Sequence, residues 1–212
     1  MNEYLQTIYD AILNGEKVET AQAVQAALNA GLESGLILSD GMIAAMKEVG
    51  KRFEEGDFYV PEMLISARSM QSGLAILKPE LLKNNVKSMG KVAIGTVKGD
   101  LHDIGKNLVG MMLEGSGFEV IDLGTDVDPA KFVAVVQEQA PDIIALSALL
   151  TTTMPMMEKT ISALHAAGIR QKVKVIIGGA PVNQAFADQI GADGYSQDAS
   201  RAATLAQSLI SA

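Results

Sequence analysis

The chain has no cysteine and no tryptophan, only two histidines, and aromatic residues at 4% of its 212 positions. Without cysteine there are no disulfides and no thiolate metal sites. Long apolar runs are also missing. No stretch of 18 apolar residues occurs, so no spanning helix is expected, and the opening "MNEYLQTIYD" carries two acids where a signal peptide would carry a basic region. A cytoplasmic protein is expected. Basic residues are in deficit, 17 Lys and Arg against 25 Asp and Glu, a formal charge of −8. That balance argues against nucleic acid or an anionic membrane as partner, because gripping phosphates takes clustered cations. What is present is a globular composition, 48% hydrophobic and 20% charged, enough for one large domain or two modest ones.

Two halves carry different rhythms. Residues 1 to about 85 read as helices. Tyr4, Leu5, Ile8, Tyr9, Ile12 and Leu13 recur at helical spacing before a stop at Gly15. A second helix runs through Val18, Ala21, Val24 and Leu28. A third is expected to start near Ser39 or Asp40 as N-cap and to align Met42, Met46, Val49 and Phe53. Gly56 ends it, and Pro61 suits the first turn of a fourth, with Met63, Ala67, Met70, Leu74 and Leu77 in a stripe. Four such helices make a small bundle, residues 1–88, with "LLKNNVKSMG" as the link to the second half. There, "KVAIGTV", "FEVIDLG", "DIIALSA" and "VKVIIGG" are short apolar runs rich in Val and Ile, as strands buried on both faces are; "DGYS" at 193–196 is a fifth, shorter candidate. Helices near 105–116, 129–139, 154–167, 182–189 and 199–210 separate or follow them. Alternating strand and helix predict a flavodoxin-like, doubly wound five-stranded parallel sheet over residues 89–212.

In such a sheet ligands bind beyond the carboxyl ends of the strands, where the strand order reverses. For the order 2-1-3-4-5 that point lies between strands 1 and 3. Three loops should converge there: "KGDLHDIG", "SALLTTTM" with Ser147, Thr151, Thr152 and Thr153, and "GGAPVN". Each has an ordinary explanation when taken alone. Asp100 or Asp103 can cap the next helix, Gly178-Gly179 can be a tight turn, the hydroxyls can cap, and a lone loop histidine is usually solvated. A nucleotide site is a weak alternative, since "GTVKGDLHDIG" has neither GxGxxG spacing nor a lysine-hydroxyl phosphate loop.

The combination is more specific than its parts. Asp100-x-His102-x-x-Gly105, then 41 residues to Ser147-x-Leu149, then 28 to Gly178-Gly179, is similar to the signature of cobalamin-binding domains. Those domains occur in cobalamin-dependent methionine synthase, B12-dependent mutases and the small corrinoid proteins of methyltransferase systems. "FEEGDFYVPEML" resembles the helical cap that precedes the B12 domain in the methyl-transferring members. Nearly the whole chain is then covered, and it resembles a stand-alone corrinoid protein of the methylamine, betaine, methanol or methoxyarene type.

The resemblance implies a cofactor, cobalamin or a related corrinoid cycling between methylcob(III)alamin and cob(I)alamin, with His102 as the lower axial cobalt ligand in place of the cofactor's own benzimidazole. Imidazole suits cobalt when the coordinating nitrogen is unprotonated. Asp100 would accept a hydrogen bond from the other ring nitrogen, and Thr153, six positions beyond Ser147, would be the third member of that relay. Ser147 would bind the buried benzimidazole. Gly99, Leu101, Asp103 and Thr151 would contact the corrin or tail, Leu149 would wall it, and Gly105, Gly178 and Gly179 would let it approach the backbone. Phe53 and Val60 match the two cap side chains that shield the upper corrin face. Met42, Met46, Met63 and Met70 read as core filler, and His165 as a solvated residue late in a helix.

The function implied is a corrinoid methyl carrier. It accepts a methyl group on Co(I) from a substrate:corrinoid methyltransferase and passes it to a second methyltransferase acting on coenzyme M or tetrahydrofolate, in the one-carbon metabolism of methanogenesis or acetogenesis. A reductive activation protein would restore oxidised cobalt, and a hinge near 84–90 would let the cap move aside. The chain has no barrel of its own to hold a methyl donor, so its standing as an enzyme is a matter of nomenclature. A B12-binding sensor or regulatory module is the alternative, though it calls for a basic DNA-binding region where residues 1–85 carry more acid than base. A mutase subunit would lack the cap.

Overall fold

The computed structural model describes residues 2–211 and divides into two compact units, one made of residues up to Ser88 with Glu114–Gly117, the other of Met89–Leu113 and Phe118 onward. In the helical unit, α1 (Glu3–Leu13) opens on Asn2, whose side chain accepts the Tyr4 N–H at 2.9 Å, and α2 (Lys17–Asn29) follows a short turn. The third helix begins earlier than the sequence suggests. A single turn, α3 (Ser34–Leu36), runs into a π-helical segment (Ile37–Ile43) and then α4 (Ala44–Glu55) without a break. Ser39 and Asp40 therefore sit inside the wide turn rather than capping a helix, their side chains bonded to each other at 2.7 Å. A Ser or Asp marks a helix start only where its side chain meets a free backbone N–H, and here the two side chains bond each other inside a continuing helix.

Gly56 ends α4 with φ +82°, and α5 (Val60–Lys83) carries Pro61 in its first turn, with Glu62 reaching back to the Tyr59 N–H at 3.0 Å. Met63, Ala67, Met70 and Leu77 form its buried face; Leu74 is half-buried. Gly73 lets α5 pack closely on its neighbours. A Cβ there would lie 3.0 Å from Met42 and 3.1 Å from Thr20 and Val24 of α2. Met42, Met46, Met63 and Met70 are all buried, each burial contributing about 1.5–3 kcal/mol.

The α/β unit is a five-stranded, all-parallel sheet in the order β2-β1-β3-β4-β5. Its elements run β1 (Lys91–Thr96), α6 (Ile104–Gly115), β2 (Glu119–Asp122), α7 (Pro129–Gln139), β3 (Ile143–Ser147), α8 (Pro155–Ala166), β4 (Lys174–Gly178), α9 (Gln184–Ile190), β5 (Gly194–Ser196) and α10 (Ala199–Ser211). Strands β1, β3 and β4 are the buried apolar runs expected of central parallel strands. β2 is not: Glu119 and Asp122 are exposed and the two residues between them only half-buried, because it is an edge strand. One apolar cluster covers a face of the sheet, with Phe132, Val135, Met157, Ile161 and Leu164 against Ile144, Leu146, Val175 and Ile177. Among the described residues no helix is long and apolar enough to cross a membrane.

Candidate functional site

Strand register sets the site. Thr96, Ser147, Gly178 and Ser196 pair in sequence across the sheet, so four strands end in one row at their carboxyl edge. From the β1 end the chain turns through Gly99 (φ +82°) and Asp100 to His102 before α6 starts at Ile104. From the β3 end come Leu149, Leu150 and Thr153.

Asp100 is fully buried, an expensive place for a carboxylate unless it is well bonded. It is. Oδ1 accepts the His102 backbone N–H at 3.1 Å and lies 2.7 Å from His102 Nδ1. Oδ2 accepts the N–H groups of Leu149 at 2.8 Å and Leu150 at 3.3 Å, and lies 2.8 Å from Thr153 Oγ1. The Thr153 hydroxyl is also 2.9 Å from the Leu150 carbonyl, so its one proton serves either acceptor. Burial pushes the Asp100 carboxyl up, but the bonds from His102, Leu149 and Thr153 outweigh it and hold the group far below the usual carboxylate range. An ionised Asp100 can only accept. The hydrogen of a neutral His102 ring therefore sits on Nδ1, leaving Nε2 with its lone pair. The His102 side chain is 52% exposed, so that nitrogen belongs to an accessible ring.

Asp103 plays a different part from Asp100. It makes no bond to His102; its carbonyl accepts the Asn107 N–H at 2.7 Å and its carboxylate the Asn107 side chain at 3.1 Å, a role at the start of α6. Leu101 and Leu149 are 73% and 43% exposed, leaving apolar surface on the loops that follow β1 and β3. Thr151 is exposed and outside the Asp100 network, and Ser147 is half-buried in the row of strand ends. Gly105 has open space where a Cβ would be. Gly179 is required by the chain itself: with φ +132°, a Cβ would fall 1.8 Å from the Ala148 carbonyl oxygen. Phe53, half-buried near the end of α4, and Val60, exposed at the start of α5, belong to the helical unit on either side of the Gly56 turn. His165 is exposed in the last turn of α8.

Two contributors escape sequence reading. Thr96, fully buried at the end of β1, donates to the His102 carbonyl at 2.8 Å. Lys106, buried in the first turn of α6, reaches both oxygens of Asp122 at 2.6–2.7 Å and Asn107 Oδ1 at 2.6 Å, tying the helix start to the end of β2. Burial raises the Asp122 carboxyl, but the bonds from Lys106 and the Gly124 N–H prevail and lower it. Among the described residues no three His, Cys, Asp or Glu side chains cluster as a metal cage. A metal held here would need most of its ligands from elsewhere.

Comparison with known proteins agrees on both halves. A family model described as B12 binding domain matches residues 90–204, and another with the same description matches residues 4–78. A corrinoid protein of Desulfitobacterium hafniense is 41% identical over 209 residues, covering 97% of each chain. Trimethylamine corrinoid protein 1 of Methanosarcina acetivorans is 43% identical, covering 93% of this chain and 92% of its own. Among solved structures, a chain of the methanol:cobalamin methyltransferase complex of Methanosarcina barkeri superposes with a TM-score of 0.87 at 33% identity, over 99% of this chain and 80% of that one.

Proposed function

The chain belongs to the B12-binding domain family, and from that membership we propose that it is a corrinoid methyl carrier serving a substrate-specific methyltransferase. The observation that carries the reading is the Asp100–His102 pair, a buried acceptor 2.7 Å from Nδ1 of an accessible imidazole. The residues present fit a corrinoid. A cofactor that brings most of its own metal ligands would take one free imidazole nitrogen from His102, apolar surface from Leu101 and Leu149, and the room that Gly105 leaves at the backbone. When bound, that cofactor supplies a cobalt centre able to take up a methyl group and give it away.

The protein's own share is ligation, orientation and exclusion of water. His102 would hold the cobalt through Nε2, Asp100 keeps the ring proton on Nδ1, and Thr153 with the Leu149 and Leu150 amides keeps Asp100 in place. Ser147, Thr151, Gly99, Asp103, Gly178 and Gly179 would line the remainder of the cofactor, and Phe53 and Val60 of the helical unit would cover its reactive face. The bundle, residues 1–88, acts as cap and residues 89–212 as the cofactor domain.

Curated relatives named for trimethylamine and a structural relative named for methanol support a donor that is a methylated amine or methanol, held by a partner enzyme. The acceptor would be coenzyme M or tetrahydrofolate on a second methyltransferase, and a reductive activation protein would return oxidised cofactor to use. A cytoplasmic location suits such a relay. The test is reconstitution with methylcobalamin. The wild-type protein should give a histidine-ligated spectrum with the cofactor's own base displaced, and His102→Ala should lose it. A His102→Ala protein that kept the ligated spectrum would sink the assignment.

A further inference from the structure

The loop carrying His102 is gripped from the side by a residue outside the motif. Asp126, in the turn between β2 and α7, has φ +54°, a left-handed backbone that residues other than glycine rarely adopt but Asp and Asn tolerate best. Its carboxylate Oδ1 accepts the Gly99 N–H at 2.7 Å, and its own N–H donates to the Asp100 carbonyl at 2.9 Å. With the backbone so turned, that side chain and that amide reach successive residues of the neighbouring loop, on the peptides either side of the Gly99–Asp100 bond. Gly99 meets it with φ +82°. The Asp100 backbone is thus held at both ends, its N–H by the Val97 carbonyl at 3.1 Å and its carbonyl by Asp126.

We infer that Asp126 is a positioning residue for His102: by holding the Gly99 N–H and the Asp100 carbonyl it fixes where the Asp100 carboxylate stands, and so which tautomer and orientation the imidazole takes. The functional meaning rests on His102 being the axial ligand, but the clamp is a property of the protein without cofactor. Its neighbours keep the turn docked when the carboxylate is removed. Thr96 N–H donates to the Gly124 carbonyl and Val127 N–H to the Thr96 carbonyl, both at 3.0 Å. Loss of the clamp should therefore loosen the loop without unfolding the unit. The Lys98 ammonium, 3.9 Å from Asp126 Oδ1, carries only donors and cannot take over as acceptor for the Gly99 N–H.

Three substitutions separate the elements of this clamp. Asp126→Gly keeps the left-handed backbone and loses the acceptor. Asp126→Asn keeps both, since an amide oxygen also accepts. Asp126→Ala loses the acceptor and disfavours the backbone. Each is made in the full chain on a His165→Gln background, which leaves one histidine signal of the two. In the cofactor-free protein, nitrogen NMR reads the His102 tautomer and hydrogen exchange reads the Gly99 amide. In the cobalamin-loaded protein, the visible spectrum reads histidine ligation, and circular dichroism checks the fold. Asp126→Gly should speed Gly99 exchange by about tenfold or more, as loss of a charge-assisted bond implies, mix the His102 tautomers and weaken ligation. Asp126→Asn should restore all three. Should Asp126→Ala fail to fold, Asp126→Gly carries the test. Wild-type exchange and tautomer in Asp126→Gly would overturn the clamp, as would an Asp126→Asn protein equally impaired. If His102→Ala keeps a ligated spectrum while Asp126→Gly still mixes tautomers, the ligand reading fails and the clamp stands.

Discussion

At the scale of the residue, the site is governed by how completely one carboxylate is satisfied. Asp100 receives its bonds from two strand ends, so any lost donor leaves a buried acceptor short. Thr153→Val keeps the shape and removes the hydroxyl. It should cost about 1–3 kcal/mol in chemical denaturation of the cofactor-free protein, while Thr153→Ser should cost less than half as much. A larger loss in Thr153→Ser than in Thr153→Val would show that the methyl group, not the hydroxyl, matters. Much of this was legible in the sequence. The resemblance to cobalamin-binding domains singles out Asp100, His102 and Thr153, and their side chains do meet, while Ser147 stands in the row of strand ends outside that network. Thr96, Lys106 and Asp126 carried no such mark. Their roles arise from contacts with backbone atoms or with residues distant in sequence, and a positive φ at an aspartate leaves no trace in residue order.

At the scale of the element, α6 matters most, because it begins directly after the histidine loop. Lys106 anchors that start to the end of β2 through Asp122. Since the folded protein lowers the Asp122 pKa, the unfolded chain binds the extra proton. The contribution is complete above the ordinary value of 3.8 and is lost as pH falls through the lower folded value. Asp122→Asn should remove about 1–2 kcal/mol at neutral pH, less than a sealed pair would, because Asp122 is half-exposed. It should also flatten part of the loss of stability below about pH 4, seen in denaturation midpoints across an acid series. An unchanged acid limb would remove Asp122 from that account. Helix starts show the limit of sequence periodicity here. Ends marked by Gly56 or Pro61 are written in local chemistry, whereas the π turn at Ile37–Ile43 shifts the register without a distinguishing residue.

At the scale of the whole molecule, the strand order places the buried strands in the middle and the shortest ones outside. β2 has four residues and β5 three. A Val- and Ile-rich parallel sheet with long open margins would invite strand addition by another copy of itself. Here each margin is brief, and on β2 both terminal side chains are acidic and exposed. The row of strand ends that forms the site can therefore stay open to partners without the sheet becoming sticky. Glu119→Val should lower the temperature at which light scattering begins and reduce soluble yield. Glu119→Lys, equally charged, should not. An edge strand that fails to be apolar thus works against self-association, a task shared by Glu119 and by Asp122, the same carboxylate that holds Lys106.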